Sequence, residues 1–140
     1  MRRLVWSAGL GLVIGCAGGP VDPLSQVSVR TDRYTYTDTS TVVVTVQNVG
    51  GGTVSLDGCP PPSVDIQDSV GTYSWVATAA SVGFECHTDP SAIRLGPGDS
   101  VVVPIALPGL MPGTYRALAS FGVNEGKPGA YVAGSTFEVR

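Results

Sequence analysis

The chain has 140 residues, a formal net charge of −3, 19 glycines, 11 prolines and three cysteines. That length holds one domain of ordinary size. Hydrophobic residues at 43 % are too many for a disordered chain, and charged residues at 14 % too few for a long solvated helix or coiled coil. A pI near 4.8 with eight basic residues argues against nucleic acid as a partner, since that needs a basic face.

Arg2 and Arg3 precede an uncharged apolar run at residues 4–14 (LVWSAGLGLVI). It falls short of the about 20 residues that a membrane-spanning helix needs. A basic start, a short apolar run and a small residue after it form the pattern of a secretory signal. The run closes on Val13-Ile14-Gly15-Cys16, which resembles a bacterial lipobox. The resemblance implies cleavage before Cys16 and lipidation of Cys16, so that the membrane is a partner through the N-terminal lipid. The location implied is the cell membrane or outer membrane, facing periplasm or exterior. Ala17 stands where lipoproteins kept at the inner membrane often carry aspartate, which favours the outer membrane in a Gram-negative source.

Residues 16–25 have the Gly/Pro composition of a flexible tether. The expected organisation is therefore a signal peptide at 1–15, a tether at 16–25 and a domain at 26–140. Losing the signal leaves six basic and eleven acidic residues, a side-chain charge of −5. With Cys16 taken by lipid, Cys59 and Cys86 remain as an even pair in an oxidising compartment, and a disulfide is the natural reading. Closing that loop would stabilise the fold by roughly 3.5 kcal/mol in the chain-entropy picture.

From Gln26 onward no helical periodicity exceeds two turns, and strand signals recur. Val27 and Val29 alternate with Ser28 and Arg30. Tyr34 and Tyr36 share a face by period two. Residues 41–48 (TVVVTVQN) set Val42, Val44 and Val46 on one face against Thr41, Thr45 and Gln47 on the other. Three glycines at 50–52 end that strand, and 53–56 resumes before the Asp57-Gly58 turn. Segments 64–67 and 72–77 flank residues 68–71 as a four-residue hairpin loop, with Tyr73 and Trp75 on one face. A short strand at 93–95 precedes a turn at 96–99. Residues 100–107 then place Val101, Val103, Ile105 and Leu107 one way, and Pro104 demands an edge or a bulge. Strands at 115–123 and 131–139 follow, the last with Ser135, Phe137 and Val139 on one face. Short strands every 8 to 15 residues predict a sandwich or barrel.

Leu95-Gly96-Pro97-Gly98-Asp99-Ser100 before a valine-rich strand, with Pro112-Gly113-Thr114-Tyr115-Arg116 opening the next, resembles strands E and F of an immunoglobulin-like domain. Gly113-x-Tyr115 matches its tyrosine corner. Gln47-Asn48-Val49-Gly50 is similar to the end of strand B in bacterial envelope modules. The resemblance implies an all-β, immunoglobulin-like antiparallel β-sandwich of about 7–9 strands with Greek-key connections over about 26–140. It departs from the antibody type, because the position two after Tyr115 is Ala117 rather than cysteine. Cys59 and Cys86 are therefore expected to staple an irregular 59–86 excursion to the sandwich.

His87, beside Cys86 and with Cys59 and Met111 elsewhere, invites a copper reading, but a disulfide beside a surface histidine is simpler. Catalysis lacks support: one histidine offers one base, and neither a nucleophile elbow nor a phosphate-binding loop occurs. Glu85 and Asp89 flank His87, and are more simply solubility charges. No cofactor and no metal are expected, and the chain is read as non-enzymatic. Trp75, Tyr73 and the polar 122–130 loop with Asn124 and Lys127 form the candidate binding surface. The reading is a lipid-anchored envelope module with a binding or structural role toward an envelope protein or glycan. The alternative is an envelope-tethered proteinase inhibitor, since the Pro-Gly-x-Tyr opening also resembles the BsuPI type.

Overall fold

The computed structural model describes residues 23–56, 63–82, 93–107, 109–121 and 130–140. One turn of 3₁₀-helix (Pro23–Gln26) leads into β1 (Val27–Thr31), β2 (Thr35–Tyr36), β3 (Thr41–Asn48) and β4 (Val54–Leu56). Then come β5 (Val64–Ser69), β6 (Trp75–Val82), β7 (Ile93–Leu95), β8 (Ser100–Ala106), β9 (Gly113–Phe121) and β10 (Ala130–Val139). A three-stranded sheet ordered β1-β3-β8 faces a five-stranded sheet ordered β2-β10-β9-β5-β6, with β4-β7 as a small third pair. The pairings are antiparallel except for the short parallel contact of β2 with β10. The fold is an all-β sandwich, one of the two architectures that the strand pattern predicts. Among the described residues there are ten strands, more than the expected 7–9, and β2, β4 and β7 have only two or three residues each.

The three-stranded sheet follows directly from β-branched alternation. Val42, Val44 and Val46 are fully buried, as are or nearly are Val27 and Val29 of β1 and Val103, Ile105 and Leu107 along β8. Pro104 sits where its missing N–H costs nothing. The Leu107 N–H donates to Ser40 O (3.1 Å) and the Asn48 N–H to Asp99 O (2.9 Å), so odd-numbered residues turn their main-chain groups toward β3. Pro104 therefore faces the free edge, where it blunts strand addition.

The five-stranded sheet departs from simple alternation at several predicted positions. In β10 a register shift between Ala133 and Thr136 inserts one residue against β9. Phe137 and Val139 point inward as expected, but Ser135 falls in the irregular stretch and is exposed. Gly134 beside it lies against the β1 main chain, where an added Cβ would meet Val29 O at 2.9 Å. Tyr34 and Tyr36 do not share a face: Tyr36 is 3 % exposed and Tyr34 76 %, because only Thr35–Tyr36 is extended and residues 32–34 bend the chain from one sheet to the other. The 64–82 region is no irregular excursion. Val64 and Ile66 are fully buried, and β5 lies between β9 and β6 inside the sheet. Its hairpin loop is residues 70–74 rather than 68–71, closed by Val70 N–H to Ser74 O at 3.0 Å.

Aromatic contacts brace the inner face of the five-stranded sheet, and a polar pin ties it to the other layer. Phe137 meets Tyr36 edge-on (centroids 5.2 Å apart) and stacks with Tyr115 (5.9 Å). The Tyr115 hydroxyl donates to Met111 O at 2.7 Å, which is the expected tyrosine corner. Tyr36 Oη donates to Asp32 Oδ1 (2.7 Å), which also accepts the Val43 N–H (2.9 Å). Burial pushes the Asp32 carboxyl up, but the hydrogen bonds from Tyr36, from the Val43 N–H and from its own N–H, with Arg33 beside it, hold it below the ordinary carboxylate range. Both phenols are pushed up, Tyr36 by burial and its bond to Asp32, Tyr115 by burial and the negative charge of Asp68.

Asn48 is 0 % exposed and fully satisfied. Its Nδ2 donates to Gly52 O (2.6 Å) and Leu95 O (3.0 Å), while its Oδ1 accepts the Gly50 N–H (2.9 Å). It ties the end of β3 to the glycine loop and to β7. The 96–99 turn has Pro97 and then Gly98 at φ +82°, the residues a type II turn demands, with Asp99 N–H donating to Gly96 O at 3.0 Å.

Candidate binding face

Strand parity places the chemistry on the outer face of the five-stranded sheet. In β9, Tyr115, Ala117 and Ala119 point into the core, so Thr114, Arg116, Leu118 and Ser120 point out. Arg116 pairs with Gln67 of β5, which pairs with Ala77 of β6; Ser69 pairs with Trp75 one step along. Trp75, Gln67 and Arg116 thus share one face although they come from three strands.

Their side chains form a single assembly. The Arg116 guanidinium carbon lies 4.3 Å from the Trp75 ring centroid, a cation–π contact worth about 0.5–1 kcal/mol at an exposed site. Arg116 Nε donates to Gln67 Oε1 at 2.9 Å. The amide engages Nε and the indole lies against the guanidinium. Among the described residues the ion pairs are Arg33 with Asp32 and Arg140 with Glu138, and neither includes Arg116.

Of the sequence candidates, Trp75 belongs to this assembly. Tyr73 stands in the hairpin loop beside it, 92 % exposed, and does not share a strand face with Trp75 because β6 starts only at Trp75. Asn124 and Lys127 lie outside the described residues, as do Cys16, Cys59, Cys86, Glu85, His87 and Asp89. Arg116 and Gln67 were not singled out from sequence. The signal available was an arginine at an outward position of the alternating Tyr115-Arg116-Ala117-Leu118-Ala119 stretch, but its partners sit 41 and 49 residues away in sequence.

At the end of the sandwich where the chain enters, Ser25, Gln26, Gly50, Gly51 and Gly52 line a depression of about 470 Å³. Gly50 is required there, because a Cβ would collide with the Gln26 side chain. The lining carries no titratable group, so it offers no acid–base chemistry. Among the described residues no group of three His, Cys, Asp or Glu side chains could hold a metal ion.

No protein-family profile matches the chain, and no curated protein matches it. Among solved structures it is similar in part to a β-glucosidase from Erythrobacter marinus, at 13 % identity and a TM-score of 0.40. That match covers 81 % of this chain and 15 % of the glucosidase, so the chain corresponds to a small part of that enzyme's length.

Proposed function

We propose that the chain is a lipid-anchored module of the cell envelope with a non-catalytic binding role, and that the outer face of the five-stranded sheet is its recognition surface. The observation that carries this reading is the preassembled Trp75–Arg116–Gln67 cluster: an aromatic and an arginine, residue types enriched at the centre of protein interfaces, held together by a cation–π contact and a hydrogen bond on one sheet face. The anchor reading rests on the sequence at Val13-Ile14-Gly15-Cys16. A Cys59–Cys86 bond is supported by topology. Leu56 pairs with Ile93 and Val64 with Val82, so the two segments that carry these cysteines join the same two strand pairs.

A photo-crosslinking side chain at Tyr73, beside the cluster, tests the recognition surface in cells of the source organism. One at Val102, exposed on the opposite sheet, is the control. Crosslinked products from position 73 and none from 102 are expected; equal products from both would overturn the choice of face. Cys16→Ser is expected to leave the protein unacylated and released from membranes. Intact mass before and after reduction reads the Cys59–Cys86 bond.

A further inference from the structure

The ligand that fits this face follows from the edge beside it and from Arg116 upon it, which forms no ion pair among the described residues. β6 is the last strand of its sheet, and among the described residues nothing pairs with its outer side. The hydrogen bond from Val70 N–H to Ser74 O sets the parity of the hairpin, so Val76 turns its main-chain groups toward β5. Trp75 and Ala77 turn theirs to the free edge. Beyond them the strand is irregular, with a register shift between Asp65 and Gln67 and the Thr78 hydroxyl bonded to Ile66 O at 2.9 Å. The open edge is thus a short stretch at 75–77, and Val76 within it is a 52 %-exposed apolar side chain. The opposite sheet has no such opening, because Pro104 interrupts the free edge of β8.

We infer that residues 75–77 accept an extended acidic peptide as an added strand, with Arg116 binding its carboxylates. This rests on the reading of the outer face as the recognition surface and names what it recognises. A strand laid against β6 sends the side chains opposite Trp75 and Ala77 to the outer face, the same face on which Arg116 of β9 reaches across β5 to the Trp75 indole. The residue between them points to the other side, against Val76. The peptide that fits therefore reads acidic–apolar–acidic. Main-chain bonds to Trp75 and Ala77 supply sequence-independent affinity, and the side-chain positions supply selectivity. The guanidinium fork suits a carboxylate because it offers two parallel N–H donors, and Gln67, occupying Nε, leaves the Nη donors for that bond. Gln67 is a positioning residue: it touches the arginine rather than the peptide.

The probe is an acetylated nine-residue peptide with Glu-Val-Glu at its centre and threonines on either side, titrated into the full chain and followed by the amide resonances of residues 75–77 and the Trp75 indole resonance. Two analogues accompany it, one with both glutamates changed to glutamine and one N-methylated at the two glutamate amides, the groups that would donate to β6. Each analogue is expected to bind about tenfold more weakly or worse. In Arg116→Gln the glutamate and glutamine peptides are expected to bind within twofold of one another. Arg116→Lys keeps the charge without the fork and restores only part of the preference. Gln67→Ala, which leaves the charge in place, is expected to reduce the preference severalfold. Glutamate and glutamine peptides binding the wild type equally would overturn the proposal, as would an intact preference in Arg116→Gln or an absence of shifts at 75–77 with every peptide. Continued crosslinking from position 73 in those cases would show that the recognition surface stands and only its ligand class is wrong; loss of both would remove the surface as well.

Discussion

The two sheets solve the same burial problem in different ways. In β1-β3-β8 alternation is unbroken, no register shift interrupts a pairing, and the inner wall is almost wholly valine and isoleucine. Its side chains are stiff and chemically silent, and its free β8 edge is guarded by Pro104. The β2-β10-β9-β5-β6 sheet carries two register shifts, packs Tyr36, Tyr115 and Phe137 on its inner face, and presents Trp75, Gln67 and Arg116 on its outer face. Regular alternation yields a scaffold. The regular part of this second sheet carries the cluster and the edge at 75–77, and the register shift of β6 bounds that edge.

The sharpest way to break this division of labour is to compare substitutions across it. Phe137→Ala removes the ring on which Tyr36 and Tyr115 pack, and should cost about 4 kcal/mol in urea denaturation. A loss below about 1 kcal/mol would mean the aromatic pins are not what supports the irregular sheet. Asn48→Ala strands the Gly50 N–H and two carbonyls at the junction of β3, the glycine loop and β7, with an expected loss of about 2–3 kcal/mol. Tyr115→Phe deletes only the bond to Met111 O and should cost about 1 kcal/mol.

The same phenols set the alkaline limit. Tyr36 and Tyr115 have raised values in the folded state, so the folded chain holds these protons more tightly. Stability is then full below about pH 10 and falls as pH rises through the folded values. Replacing both tyrosines by phenylalanine should flatten that decline in a pH series of thermal melts. Asp32 has the opposite sign: its depressed value contributes stability above about pH 4 that is lost on acidification. Asp32→Asn should be less stable than wild type at neutral pH and converge with it in acid.

The smallest stability effects belong to the outer face. Trp75→Ala and Arg116→Gln should each stay within about 1 kcal/mol of wild type, since the contacts they remove are a half-buried cation–π contact and one hydrogen bond to an amide. A large loss from either would make the cluster a structural brace and count against its role in recognition.

Much of the fold was legible residue by residue. The alternation of Val42, Val44 and Val46, the bounds of Ile93–Leu95, the Gly96-Pro97-Gly98-Asp99 turn and the Tyr115 corner all depend on neighbours within a few positions, and all stand as read. Pro104 is instructive, because sequence demanded an edge or a bulge and only the bonding parity of β3 with β8 chose the edge. Ser135 failed for the converse reason. One inserted residue inverts every later side chain in a period-two pattern, and nothing in the local sequence marks where the insertion falls.

For the candidate site, sequence isolated Trp75 and Tyr73 by type alone. It could not supply Arg116 or Gln67, because their meeting is a matter of register between three strands joined by long connections.

By itself the sequence determined the class of the molecule: its composition and charge, an all-β domain built on β-branched alternation, and the turns that punctuate it. Those properties are local, arising from side-chain period and backbone preference. The tertiary structure decided which strands are neighbours, which strand ends each sheet among the described residues and which face carries the guanidinium over an indole. These depend on pairings between residues tens of positions apart, and a single step of register would have sent Arg116 into the core.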